Sequence, residues 1–560
     1  MNNFNLIGKA HDKEFWKSVR NDPDYRFLID GLLAIYEKDC DTSIDELLYS
    51  EFKLFKTTGD RGVFEKPYFK RRRALSALSI LSLIYPDEEK YLDGLMDVIY
   101  AICNEYTWCL PAHQPNIDAL NEIYIDLFAA ETGFALSEIY TLLSDRLEPL
   151  INARIKCEVK RRILDSFANK DAFSWENGKS NWTAVCMGSV ACTFMLMAPE
   201  LYERFEKRFD SSFEAYLSGF ENDGICTEGC AYWHYGFGFF TVYADMVRRF
   251  TDGATDYFKR EKVKTVSSFI QKMFLSGNSC VSFSDGGRGL SYHLGLLHRL
   301  KDEYGGDISV FPLKYSYIND NCARYCLHLS SFIWFNKDYA KEGNENSFAP
   351  IEFFARESSW FVKRTSSYGF AAKGGHNDEP HNHNDVGSFI FAKSGKQILC
   401  DIGSGKYTRQ YFQPATRYEH LECSSRSHSV PIIDGKYQKE GASRKASLFE
   451  YENGRLTTEF SGAYDIPYLE KIERSFTFTK DSVSISDEIV CSANAEITDR
   501  LVTLCEPVIK EGEIILGDAI LTYDDCSPCS VTSEVTSGGT TVYMLDFKIT
   551  SGKKFTYTIK

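Results

Sequence analysis

The chain has 560 residues, 43% hydrophobic and 26% charged, and a formal charge of −15. That make-up is typical of soluble globular proteins, and the length suits about three or four domains, or two large ones. The acidic balance excludes a general basic field for nucleic acid, and no apolar run is long enough to cross a membrane. An acidic polymer could bind only at a local basic patch.

Aromatic residues make up 14%, with 33 Tyr and 41 Phe. Such enrichment suits stacking on sugar rings and equally suits a large β-rich core. The N-terminus, MNNFNLIGKAHDKEFW, lacks a basic segment followed by an apolar one. As it stands the chain reads as cytoplasmic, or as secreted or periplasmic if a leader has been removed. The 17 cysteines are odd in number and scattered, which favours reduced thiols. Cys526-Ser-Pro-Cys529 reads as a turn carrying two of them.

Helical periodicity runs through the first half. It covers Arg71 to Tyr85, Tyr91 to Tyr106, Asn116 to Thr141, Glu148 to Ala168 and Thr183 to Met197. It continues through Leu201 to Phe220, Gly236 to Phe250 and Lys262 to Leu275. Helices of this length with short links suggest antiparallel pairs, and the lack of a fixed repeat favours an irregular α/α toroid over a solenoid. Near residue 340 the character changes. Glu342-Gly-Asn-Glu-Asn-Ser is a polar linker, followed by alternating segments at Ser359 to Arg364, Ser388 to Ala392 and Lys396 to Leu399. Arg474 to Thr479, Ser482 to Ile489, Leu501 to Leu504, Thr541 to Phe547 and Lys554 to Ile559 continue the pattern. The expected organisation is an α/α toroid over 1–340 and an antiparallel β-sandwich over 341–560.

Three of the eleven histidines fall within Gly374-Gly-His-Asn-Asp-Glu-Pro-His-Asn-His-Asn-Asp-Val-Gly-Ser-Phe-Ile390. If the segment is extended, alternation puts His381, His383 and Asp385 on one face, with Asn382 and Asn384 opposite. Two imidazoles and a carboxylate on one face make a metal site or an acid/base site. Glu105-Tyr106-Thr-Trp108-Cys-Leu-Pro-Ala-His113 has the composition of a sugar-binding wall, and equally of a normal loop. Asn181-Trp182 reads as a helix N-cap or as an amide beside a stacking indole. Glu228-Gly-Cys-Ala-Tyr232-Trp233-His234-Tyr235-Gly236 is an aromatic helix start with glycines for close approach. Cys400-Asp401 and Ser425-Arg-Ser-His428 add a carboxylate and an imidazole. On strands neighbouring the histidine cluster, a His, an Asp and a His would give three ligands suited to zinc, with manganese also compatible.

Taken in order, Asn181-Trp182, the Glu228–Gly236 patch, His381-Asn-His383-Asn-Asp385, Asp401-Ile-Gly and His428 resemble the heparinase II/III-like polysaccharide lyases. The resemblance implies an incomplete α/α toroid followed by an antiparallel β-sandwich. It also implies cleavage of uronic-acid glycosaminoglycans such as hyaluronan, chondroitin or heparan sulfate by β-elimination. By resemblance Asn181 neutralises the substrate carboxylate, Tyr235 is the acid/base and His381 the second proton-transfer group. His383, Asp401 and His428 would hold a structural divalent ion. Tyr106, Trp108, His113, Trp182, Glu228, Tyr232, Trp233 and Arg417 are the candidate substrate contacts, with Arg288 and Arg409 as further cations. Tyr232 is the alternative tyrosine; Tyr235 is preferred because Gly236 leaves room for substrate. Competing readings are an oligoalginate lyase, a cupin-like metalloenzyme and a non-catalytic carbohydrate binder.

Overall fold

The computed structural model describes residues 3–40, 43–118, 123–289, 291–316, 321–322, 324–345, 349–524 and 529–560. The chain forms two units. One comprises Met1–Gly219, Trp233–Lys264 and Tyr292–Glu345; the other comprises Phe220–Tyr232, Thr265–Ser291 and Asn346–Lys560. The second unit therefore takes two segments from the helical half, which a division at residue 340 leaves out.

The first unit is helical. Helix Asn181–Met197 is buried from Thr183 to Leu196, because nearly every residue there is apolar or small. A helix apolar all round belongs in a core. It packs against helices Leu127–Leu143 and Pro199–Leu217. Several helices begin before their periodic cores: the Arg71–Tyr85 stretch belongs to helix Gly62–Ile84, with Tyr85 as its cap, and Gly236–Phe250 to helix Cys230–Phe250. The Glu148–Ala168 stretch contains a π turn at Lys160–Leu164. Two assignments change. Asn116–Thr141 becomes a helix beginning at Leu127, where the Asp126 carboxylate accepts from the Ala129 amide. Lys262–Leu275, in the second unit but for its first three residues, breaks into helices Glu261–Ser267 and Phe269–Met273 and runs into strand Phe274–Ser276. The supposed linker at Glu342 begins as helix Lys337–Glu345, and part of it lies outside the described residues.

Gly236 has a packing role. A Cβ there would sit 3.0 Å from Asn181 Cα and 3.0 Å from Tyr216 Oη. Overpacking costs roughly 1–3 kcal/mol, while alanine gains about 1 kcal/mol of helix propensity over glycine. Gly236→Ala is therefore expected to lose about 1 kcal/mol net, read as a lower thermal midpoint. A midpoint at or above that of the parent would show that the start of helix Asn181–Met197 yields freely.

The second unit is antiparallel throughout its sheets. Among the described residues, one five-stranded sheet runs in chain order through Ile351–Ala355, Trp360–Arg364, Gly369–Lys373, Phe389–Lys393 and Lys396–Leu399. An eight-stranded sheet is centred on Leu469–Phe478, Val483–Cys491 and Lys554–Ile559. A four-stranded sheet contains Cys529–Val535, Thr541–Ile549, Ile497–Thr503 and Ile432–Ile433. Alternation sends Phe370, Phe389, Phe391, Phe476, Ile485, Leu545, Phe547, Tyr557 and Ile559 into one shared core.

One buried cation ties loops to this core. Arg474 pairs with Asp487 at 2.7 and 2.8 Å and with Asp499 at 3.2 Å. Its other terminal nitrogen donates to the Gly387 and Ser429 carbonyls at 3.0 and 2.6 Å. Those carbonyls belong to the loops that carry the histidine cluster and His428. Burial opposes the Arg474 charge, but Asp487 and Asp499 outweigh it and hold the guanidinium fully charged.

Candidate active site

The histidine segment is not extended as alternation requires. Between strands His376–Asn377 and Phe389–Lys393 the chain turns repeatedly, and His381 lies in the left-handed region at φ 59°. The strand expected from Ser388 starts at Phe389. Gly387, at φ 85°, fits where a side chain would strike the Phe460 ring. Consequently His381, His383 and Asp385 do not share a face. The His381 side chain keeps 19% exposure, that of His383 keeps none, and Asp385 forms a buried pair with Lys373 at 2.7 Å.

The two histidines meet at a residue that spacing did not single out. The Asp285 Oδ2 atom accepts from His381 Nδ1 at 2.7 Å, and Oδ1 accepts from His383 Nε2 at 3.0 Å. Arg417 Nη2 donates to both oxygens at 3.2 Å. Tyr411 Oη donates to Oδ1 at 2.5 Å and Tyr407 Oη to Oδ2 at 3.3 Å. Burial pushes the Asp285 carboxyl up, but the histidine hydrogen bonds and the Arg417 charge win and hold it well below the usual carboxylate range. Arg417 also donates to the Asn382 and Tyr411 carbonyls. Its role is thus corrected: it clamps the histidine loop from a buried position, where substrate contact was expected.

Tyr232 stacks on His381, with ring centroids 4.1 Å apart and planes 20° apart. Its hydroxyl lies 2.5 Å from that of Tyr407 and 3.3 Å from His381 Nδ1. Burial, then the neighbouring Tyr407 and Asp285, push the Tyr232 phenol well above its ordinary value, so it stays protonated. Phe412 stands edge-on to His381 with 42% exposure, leaving an open aromatic rim.

Asp401 and His428 also lie close to His383, whose ring centroid is 5.3 Å from that of His428. One ligand atom from each of the three falls within 4.8 Å of the others, and all three residues are buried. His428 directs Nε2 to the Glu422 carbonyl at 3.0 Å, which leaves Nδ1 3.5 Å from Asp401 Oδ2. Among the described residues that oxygen accepts no hydrogen bond. Burial raises Asp401 despite the two imidazoles. Burial alone would lower His383, but Asp285 and the Cys423 thiol outweigh it and push it up to about 10. A metal here would replace a proton on His383.

The remaining sequence candidates separate by burial. In the first unit, Trp108 and Trp233 are core residues. Trp108 donates to the Ile102 carbonyl and Trp233 stacks on Phe237, so neither offers a face to a sugar. Tyr106 is exposed, and Trp182 is half-buried edge-on to His113, whose Nδ1 meets Asp126 at 2.8 Å. Asn181 is the first helical residue after the Ser180 cap and is buried, so it is not itself the cap. Tyr235 is buried under Arg324 and donates to Glu131. Gly236 opens no space for substrate beside it, because Asn181 and Tyr216 fill that space. In the second unit, Glu228 is buried, and Arg288 donates to the Ile402 carbonyl at 3.1 Å. Of the Cys526–Cys529 pair, Cys526 lies outside the described residues. Among the described residues no two cysteines are joined in a disulfide.

Asp285, Tyr407 and Tyr411 went unread in the sequence. The only local signal was Ser284-Asp285-Gly286-Gly287, a turn whose Ser284 takes φ 63°. The contacts that give these residues meaning span 96 to 132 positions along the chain.

Residues 353–540 match the family described as Heparinase II/III-like, C-terminal. The fold is shared with a solved heparinase III at TM-score 0.62 and 14% identity, covering 98% of this chain and 91% of that one. A mutant heparan sulfate lyase HepC from Pedobacter heparinus gives 0.58 at 13% identity, covering 100% and 92%. A chondroitin AC lyase from Streptomyces coelicolor A3, solved in complex with chondroitin sulphate, gives 0.50 at 12%, covering 96% and 82%. No curated protein sequence matches the chain. The family resemblance read from the motifs is borne out by the match over residues 353–540, and the toroid followed by an antiparallel sandwich by the shared fold.

Proposed function

We propose that the protein is a polysaccharide lyase that cleaves a uronic-acid-containing glycosaminoglycan by β-elimination. The observation that carries this is the stacked pair of Tyr232 and His381 beside a buried carboxylate. Their positions supply an acid and a base within one ring diameter. Support for the substrate class comes from the heparan sulfate and chondroitin lyases that share the fold.

The C5 proton of a uronate lies α to a carboxylate, so its removal needs a base and charge neutralisation. His381 directs Nδ1 to Asp285, so its basic nitrogen is Nε2. That nitrogen takes the C5 proton, the C4–C5 double bond forms, and the C4–O4 bond breaks. Tyr232, held protonated, gives its proton to the leaving oxygen and is backed by the Tyr407 hydroxyl. This moves the acid role from Tyr235 to Tyr232. For neutralisation of the carboxylate, Asn181 is the residue that the family resemblance implies. No water is consumed. Phe412 offers an apolar face on which a sugar ring can stack.

The residues fit a divalent ion. Asp401 Oδ2 is buried without a donor among the described residues, and two imidazoles face it. His383, Asp401 and His428 would hold zinc, and manganese tolerates the same donors. When bound, the ion supplies the positive charge that Asp401 lacks and braces the loop two residues from His381. Chelation is expected to remove about 3 kcal/mol at a hundredfold excess of metal over Kd and to reduce turnover through misplacement of His381. Elemental analysis of untreated protein showing no metal would overturn this part.

The lyase reading is tested with heparan sulfate, chondroitin, hyaluronan and alginate, following ultraviolet absorbance of an unsaturated uronate. Product from a glycosaminoglycan supports it. Product from alginate alone moves the substrate class, and no product from any of them overturns it.

A further inference from the structure

Asp285 stands where two separate histidine jobs meet. Its two oxygens are divided between the rings, Oδ2 to His381 and Oδ1 to His383, and each also takes one tyrosine hydroxyl. Arg417 sits evenly across both at 3.2 Å. The backbone on each side is held in an uncommon conformation, with Ser284 at φ 63° and His381 at φ 59°. Non-glycine residues in this region are disfavoured and persist only where surrounding contacts enforce them. Here the enforcing contacts include the Ser284 hydroxyl on the Thr227 carbonyl and the Arg417 clamp on Asn382.

A carboxylate has no proton to give, so each ring must present an N–H to it. The two rings present opposite nitrogens. We propose that Asp285 is a positioning residue that fixes opposite nitrogen roles in the two histidines: Nδ1–H in His381, freeing Nε2 to act on substrate, and Nε2–H in His383, leaving Nδ1 as the nitrogen whose proton a bound ion would replace. One buried carboxylate thereby sets both the proton-transfer group and the adjoining ligand set. The inference rests on the lyase reading for its kinetic consequence, but its tautomer consequence is independent of any activity. Asp285, His383 and Cys423 also lie within ligand reach of one another. Arg417 already supplies the cation at that carboxylate, which disfavours a second ion there.

The first test is ¹⁵N spectroscopy of histidine-labelled parent protein in its metal-loaded and chelated forms, with His381→Gln and His383→Gln used to assign the signals. His381 is expected as the Nδ1–H form with an unprotonated Nε2. His381 found as the Nε2–H form overturns the proposal, whether or not any substrate is cleaved. The second test is Asp285→Asn. Turnover is expected to fall by about 10² or more, with KM changed less than about threefold, and bound zinc to fall together with it. Asp285→Glu is expected to restore part of both. Asp285→Asn with parental turnover and parental zinc overturns the proposal. If Asp285→Asn does not fold, the spectroscopy of the parent protein still decides. If the parent cleaves no uronate polymer yet shows the stated tautomers, the lyase reading fails while the positioning role stands.

Discussion

Tyr232→Phe is expected to lower turnover on the cleaved polymer by about 10²–10⁴, with binding and stability little changed. The substitution removes a single hydroxyl and keeps the ring stacked on His381. Loss of a positioned general acid typically costs a factor of that size. The leaving O4 then departs unprotonated, so the loss should be smaller for substrates with a better leaving group. Tyr235→Phe provides the contrast. Its hydroxyl is directed to Glu131 inside the first unit, and removing it takes a donor from a carboxylate. That should cost about 1–3 kcal/mol of stability and leave most of the turnover. Steady-state kinetics on both variants decide. Parental turnover in Tyr232→Phe with an inactive Tyr235→Phe would restore the acid role to Tyr235.

Arg474→Ala is expected to destabilise the second unit by about 3–5 kcal/mol, the cost of leaving buried charges without their partner. Asp487 and Asp499 would both lose their cation, and Asp499 is already pushed up by burial and by Asp487. The variant also frees the Gly387 and Ser429 carbonyls, so the loops bearing His381 and His428 lose a shared anchor. Arg474→Lys should recover little, because one ammonium cannot span two carboxylates and two carbonyls. Denaturant melts followed by far-ultraviolet circular dichroism check the first claim. A loss below about 1 kcal/mol would show that the neighbouring carboxyls simply take up protons.

Local pattern was enough for many of the elements. The strands Lys396–Leu399 and Lys554–Ile559 end where alternation and flanking turn residues place them. Helix Asn181–Met197 differs from the periodic reading by two residues, whereas Gly62–Ile84 and Leu127–Leu143 differ from it by more, because 3.6-residue and 2-residue periods are properties of short windows. The helix-then-strand order and the histidine cluster were legible for the same reason, since each shows in residue type within a few positions, whereas the possible ligands His383, Asp401 and His428 came from the family resemblance.

Tertiary structure decided what those residues do. His381 and His383 diverge because the loop turns at a left-handed residue, a conformation that no alternation rule anticipates. Tyr232 and Tyr235 are three positions apart on one helix, yet one stacks on His381 and the other donates to Glu131. Arg417 looks like a free cation in sequence and becomes a buried clamp on Asp285 and Asn382. Asp285 itself is one of 79 acidic residues until folding brings two histidines, two tyrosines and an arginine to its oxygens. Hydrogen-bond partners a hundred residues apart leave no periodic trace, so short-range pattern supplied many of the elements, their order and the kinds of groups available for chemistry. Which groups meet, and which nitrogen of each histidine is left to act, follows only from the packing of the folded chain.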